Sequence, residues 1–175
     1  MGSNGTLLQD DRHRGERAGA SVGERREPSS EAMARAEAAC RANGARLTPI
    51  RRRVLETLQA TRGSLGAYEI ADALADEEWR RLAPITIYRA LEFLIAQGLA
   101  HRLASRNAFI ACAHGHRREE LVAFLICETC GEVEERTASG LTGAVSQLLG
   151  SARFDPHLKL LEIAGRCARC STRPA

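Results

Sequence analysis

The chain has 175 residues, 44% of them hydrophobic and only 4% aromatic, so it can build an aliphatic core for one domain or two small ones. Its net charge of +3 is too small to imply nucleic acid by itself, and no apolar run approaches the ~20 residues that span a bilayer. Asp10, Asp11, Arg12 and Arg14 stand where an export signal needs an apolar stretch. The expectation is a soluble, cytoplasmic chain with no membrane partner.

Residues 1–28 carry few large apolar side chains and many charges and glycines, a composition that predicts a disordered extension. From Ser29 the pattern changes. Ser29 or Ser30 can cap a helix through Glu31 to Arg41, with Asn43-Gly44 as its stop. Thr48-Pro49 reads as an N-cap followed by proline at the first helical position, and Ile50, Val54, Leu55 and Leu58 mark the apolar face of that second helix. A short third helix carries Tyr68, Ile70, Ala73 and Leu74. A fourth starts near Pro84, carries Ile87, Leu91, Leu94 and Ile95, and stops at Gly98. Two short strands follow, Leu99–Leu103 and Ala108–Cys112, joined by the turn Ala104–Asn107. Helices followed by a hairpin predict a winged helix-turn-helix whose last helix enters the major groove. Six arginines between positions 41 and 62 against one acid, Glu56, predict a basic patch or a solvated helix face.

The remainder reads as strand Leu121–Ile126, a strand around Val133, an amphipathic helix Ser139–Leu149 ending at Gly150, and strand Leu158–Ile163. This unit is too small to own much core, so pairing with a second copy is expected to bury its helix. The fold class is therefore α+β: an extension (1–28), a winged-helix DNA-binding domain (29–104, its hairpin continuing to about 112) and a metal-binding dimerisation domain (105–175).

Two cysteine pairs carry the strongest chemical signal, Cys127-Glu128-Thr129-Cys130 and Cys167-Ala168-Arg169-Cys170. Two residues between sulfurs let a tight turn aim both thiolates at one ion, and two such turns supply a closed tetrahedral zinc site. A pair of disulfides or a thiol redox motif has the same spacing but lacks an export context. Four thiolates leave no open coordination position, so no catalysis is expected there. A zinc-ribbon thiol oxidoreductase would also need a base and a pocket, and the sequence offers neither; no enzyme activity and no small-molecule substrate are expected. Cys40, in the first helix, reads as a small buried hydrophobe.

Taken in order, Arg46-Leu47-Thr48-Pro49-Ile50-Arg51, Thr86-Ile87-Tyr88-Arg89-Ala90-Leu91, Phe124-Leu125-Ile126-Cys127-Glu128-Thr129-Cys130-Gly131 and Gly165-Arg166-Cys167-Ala168-Arg169-Cys170 resemble the ferric uptake regulator family from about Ala32 to Cys170. Cys40, Gln97-Gly98-Leu99-Ala100-His101 and the lone Cys112 resemble its zinc-uptake branch; the His-rich run of the iron branch is replaced by Arg117-Arg118-Glu119-Glu120-Leu121. The resemblance implies a homodimeric, zinc-responsive repressor of zinc uptake genes that binds a palindromic, AT-rich operator. An iron- or peroxide-responsive regulator of the same family is the alternative.

Two zinc ions per subunit are implied. The structural one belongs to Cys127, Cys130, Cys167 and Cys170. The regulatory one belongs to His101, Cys112 and Glu135 with a fourth ligand that departs from the family pattern: Glu120 by register, or His116 or His114 if the loop is rearranged. A third site of many family members falls on Lys159, with His157 on the same strand face, so it is expected to be lost or weakened. For DNA, the resemblance points to Tyr68, Tyr88 and Arg89. Arginine can read guanine and tyrosine can touch a thymine methyl group. Arg46 and Arg51 are expected to position phosphates or enter the minor groove.

Overall fold

A computed structural model describes residues 30–75, 83–113, 121–137, 139–156 and 159–172. Four helices come first: α1 (Ser30–Ala42), α2 (Pro49–Ala60), α3 (Ala67–Ala73) and α4 (Pro84–Ala96). The hairpin β1 (Ala100–Leu103) and β2 (Ala108–Ala111) follows. A three-stranded sheet is built from β3 (Val122–Cys127), β4 (Val133–Thr137) and β5 (Leu160–Gly165), with α5 (Ser139–Ser151) between β4 and β5. The chain closes with the short α6 (Ala168–Ser171).

The helical half is held by one aliphatic cluster. Val54, Leu55 and Leu58 of α2 meet Ile70 of α3 and Ile87, Ala90, Leu91 and Leu94 of α4, all buried. Spacings of three and four residues put each set on one helix face. Pro49 occupies the start of α2, and Thr48 takes the extended N-cap conformation without a side-chain cap bond. Gly98, at φ +69°, ends α4: Leu99 N–H donates to Leu94 O (2.8 Å) and Gly98 N–H to Ile95 O (3.0 Å), the paired bonds of a Schellman stop. Gly44 closes α1 in the same way.

One expected stop moves. Helix α5 runs through Gly150 to Ser151, and the left-handed residue is Arg153, at φ 50°. Phe154 N–H donates to Leu149 O and Arg153 N–H to Gly150 O. The motif needs a left-handed residue after the last turn, and Gly150 lies within that turn.

The hairpin is shared by two cores. Ala100 and Phe109 face the helices, whereas Leu103 and Ile110 join Val122, Phe124, Ile126 and Val133 of the sheet half. Alternation along a strand sends neighbouring side chains to opposite faces, and here both faces are covered. The sheet order is β4-β3-β5, with β3 antiparallel to β4 and parallel to β5. Helix α5 provides the crossover that a parallel pair requires. No described residue of α5 is buried; Leu141 and Leu148 are exposed, as are Leu125 and Ile163, which face each other in register across β3 and β5. No helix among the described residues is long and apolar enough to cross a membrane.

Candidate metal centres and nucleic-acid interface

Each cysteine pair follows the C-terminal end of a strand. Parallel strands end on the same side of a sheet, so the β3–β5 register, which sets Cys127 opposite Gly165, brings both pairs to one corner. The first turn is closed by Gly131 N–H to Cys127 O (2.9 Å) and Cys127 N–H to Glu132 O (2.9 Å), with Gly131 at φ +74°. Glu128 N–H then donates to Gly165 O at 2.8 Å and stitches the two turns together.

The four sulfurs all lie within 4.8 Å of one another, and Cys130 Sγ is 3.8 Å from Cys167 Sγ. A tetrahedron with bonds of about 2.3 Å has sulfur–sulfur edges of about 3.8 Å, so the donor set fits zinc. The four thiols are not equivalent. Cys167 N–H donates to Cys127 Sγ at 3.3 Å, and this bond, followed by one from the Cys130 amide, lowers the Cys127 thiol to about 6. Cys170, which shares its proton with Cys167 and then loses hydration by burial, is pushed up to about 12. Arg169 forms an ion pair with Glu132 across the corner.

A second cluster sits where the hairpin meets the sheet. The ligand atoms of His101 (β1), Cys112 (just past β2) and Glu135 (β4) all lie within 4.8 Å of one another. His101 pairs with Ile110, so Cys112 is its diagonal neighbour on the same hairpin face. Phe124, register partner of Glu135, sets its ring 5.2 Å from the His101 imidazole. Glu135 accepts the Ala113 backbone N–H at 3.0 Å, and Cys112 Sγ lies 4.0 Å from its other oxygen. Imidazole, thiolate and carboxylate form a donor set suited to zinc, with room for one further ligand. Glu120, His116 and His114 lie outside the described residues, as does His157. Lys159, expected from the resemblance to stand in place of a third-site ligand, lies just before β5.

On the helical half, Tyr68 of α3 is 67% exposed, and Arg89 of α4 points outward. Tyr88 is half-buried and packs against the helical core. Arg46 is exposed; Arg51 stacks its guanidinium 3.5 Å over the Phe93 ring and donates to Arg46 O at 2.8 Å. The arginines between 41 and 62 therefore do not make one free patch. Arg52 is paired with Glu37 and Glu56, and Arg41 lies beside Glu37. Cys40 is buried at 1% exposure, and burial raises its thiol.

Several groups that join the two halves carry no motif. Glu162 of β5 accepts the backbone N–H groups of Ala104 (2.7 Å) and Ser105 (3.1 Å) at the hairpin turn. Arg106 donates to Cys127 O at 3.3 Å, and Gly63 forms a bridge with Glu132 beside the first cysteine turn. A single carboxylate in a strand gives no warning of such a role.

A winged-helix unit joined through its hairpin to a sheet with a cysteine-cornered metal centre defines a metal-linked DNA-binding class. The chain belongs to the ferric uptake regulator family, whose profile matches residues 42–163. Members of that family are transcriptional regulators, not enzymes. The chain is 34% identical over 142 residues to the zinc uptake regulation proteins of Escherichia coli (strain K12) and Shigella flexneri, covering 81% of this chain and 82% of each relative. Among solved structures it is similar to a zinc uptake regulator complexed with zinc and DNA (TM-score 0.76, 33% identity, 82% of this chain and 97% of that one). It is also similar to holo XcZur (TM-score 0.73, 37% identity, 82% and 99%).

Proposed function

We propose that the chain is a zinc-responsive transcriptional repressor of zinc uptake genes that acts in the cytoplasm and binds a palindromic, AT-rich operator as a homodimer. The observation that carries this reading is the His101–Cys112–Glu135 cluster. Its three ligands come from both sides of the junction between the hairpin and the sheet. A zinc ion held there would tie the DNA-binding half to the sheet half in one orientation. The soft Cys112 thiolate favours zinc over iron or a peroxide-sensing centre, and relatives named for zinc uptake share about a third of the sequence.

Each residue then has a defined task. His101 and Cys112 move with the hairpin, whose other face is packed into the helical core, so fixing them fixes α4. Glu135 is held in place by the Ala113 amide. Glu120, or His116 or His114, completes the regulatory set. Cys127, Cys130, Cys167 and Cys170 hold a second, structural zinc, giving two per subunit. Helix α5, with Leu141 and Leu148 exposed, and the Leu125–Ile163 strip offer the apolar surface that a second copy covers. Arg89 and Tyr68 face the base edges, and Arg46 faces phosphate. Arg51, pinned on Phe93, orients the Arg46 segment as well as contributing charge.

The test is fluorescence anisotropy with duplexes selected from a random library, across buffered free zinc and separately free iron. Salt-sensitive binding that switches on with zinc alone is the expected result. Switching by iron at comparable or lower free metal would overturn the zinc assignment.

A further inference from the structure

Helix α4 has two cleanly separated faces. Ile87, Ala90, Leu91 and Leu94 are buried in the helical core. Ile85, Arg89, Glu92 and Ala96 form the opposite, exposed stripe at spacings of four, three and four residues. Ile85 is 56% exposed at the N-terminal end of this stripe, directly after Pro84. It and Tyr68 are the exposed large apolar side chains on the helical half among the described residues.

A branched aliphatic side chain in that place has no partner within the helical core cluster. In a helix-turn-helix, the N-terminal residues of the second helix meet the base edges. The apolar feature of those edges in the major groove is the thymine 5-methyl group. Tyr88, the residue expected from sequence to make such a contact, is half-buried with its side chain packed against the core, and Ile85 is the more exposed of the two. Ile85 and Arg89 are one helical turn apart on the same face, a separation of about 6 Å along the helix axis. That length covers about two base-pair steps of the 3.4 Å rise of each strand.

We infer that Ile85 is a specificity-determining residue that reads a thymine methyl group within about two base pairs of the base contacted by Arg89. This deepens the proposed DNA-binding function and rests on it. Arg89 supplies a polar contact and Ile85 an apolar one, so the pair selects a step in which a methylated pyrimidine lies beside a hydrogen-bonding base. Thymine is then distinguished from cytosine and from uracil by a contact that involves no hydrogen bond.

The experiment uses the full-length, zinc-loaded protein. Wild type selects a duplex from a random-sequence library, and each thymine of that duplex is replaced in turn by deoxyuridine, which lacks only the methyl group. Binding of wild type and Ile85→Ala is measured across the series, with zinc content as a check of folding. One thymine per half-site is expected to lose about fourfold in wild-type affinity on demethylation, the equivalent of one buried carbon at about 0.8 kcal/mol. Ile85→Ala should bind the parent duplex more weakly and be indifferent to that same replacement. If no thymine is singled out, or Ile85→Ala keeps the full sensitivity, the inference fails while zinc-gated binding stands. If wild type selects no duplex with zinc, the DNA-binding reading and this inference fall together.

Discussion

Ser105, in the turn of the hairpin, donates both its hydroxyl and its backbone amide to the carboxylate of Glu162 on the far strand of the sheet. The neighbouring Ala104 amide donates to the same group. Three donors converge on one carboxylate from a 3-10 turn (Ala104–Arg106) whose exit, Asn107, is left-handed at φ 47°. This joint closes the junction on one side, and the His101–Cys112–Glu135 cluster closes it on another. The hairpin is thus a wing whose turn is tied back to the sheet half.

Glu162→Gln should loosen that joint without touching any metal ligand. Burial pushes the Glu162 carboxyl up, but the Ser105 hydroxyl and the Ala104 and Ser105 amides outweigh it and hold the group below its usual range. A depressed carboxyl stabilises the fold above its unfolded value near 4.5, and that contribution is lost as pH falls through the still lower folded value. Wild type should therefore show a stability loss below about pH 4.5 that Glu162→Gln lacks. At neutral pH the variant should be less stable by about 1 kcal/mol, since the site is partly solvated. Urea denaturation at several pH values reads both effects.

Gly63→Ala probes the other contact between the halves. A Cβ at Gly63 would lie 2.8 Å from the carbonyl oxygen of Gly131, inside the first cysteine turn. The obstacle is backbone, which cannot swing aside as a side chain can. The expected cost is about 1–3 kcal/mol of stability. The push falls on the turn that holds Cys127 and Cys130, so chelator competition should also show weaker retention of the structural zinc. A substitution that left both quantities unchanged would mean that the bridge to Glu132 is not maintained in solution.

Sequence patterns revealed most of the elements and the two cysteine turns, because both depend on local spacing, whereas His101, Cys112 and Glu135, which the structure brings together, were singled out through the family resemblance. Val54, Leu55 and Leu58, the Gly98 stop and the two cysteine turns each announce themselves within a few residues. The parallel β3–β5 register, which brings the two cysteine turns to one corner, was not read from the sequence, because strand pairing joins residues far apart in the chain. Nor were the long-range polar contacts. Glu162 looks like any strand carboxylate until the hairpin turn is placed 57 residues upstream against it. The arginines from 41 to 62 left a basic patch and a solvated helix face both open, because sequence does not show that Glu37, on a separate helix, pairs with Arg52. Gly150 read as a stop because composition marks where left-handed backbone is cheap, not where the helix uses it.

Arg89→Ala separates recognition from architecture. Arg89 is exposed on α4 and lies opposite the buried stripe. Its removal should cost operator affinity about 5–150-fold, the value of one bidentate base contact of about 1–3 kcal/mol, with zinc content and thermal midpoint unchanged. Tyr88→Ala should behave differently, because Tyr88 packs against the core: it should lower the thermal midpoint as well as the affinity. Parallel anisotropy and thermal denaturation would show whether the two neighbours divide in this way.

Cysteine substitutions at the two centres should also diverge. Cys130→Ala removes one of four sulfurs at the corner where β3 and β5 end, and binding energy at such a site is folding energy. It should lose one zinc per subunit and unfold, or fail to assemble, without any contribution from DNA. Cys112→Ser and His101→Ala alter a cluster at the hairpin–sheet junction while the corner stays intact. They should stay folded with the structural zinc in place and bind DNA no better when free zinc is raised. Proton release gives an independent check on the corner. Zinc takes thiolates, and the thiols of Cys130 and Cys170, raised above the ordinary cysteine value of 9.0, carry their protons at neutral pH. Loading the metal-free protein at neutral pH should therefore expel more than one proton per structural zinc, measurable with an indicator dye in weak buffer. A single proton or none would show that the four sulfurs do not all bind.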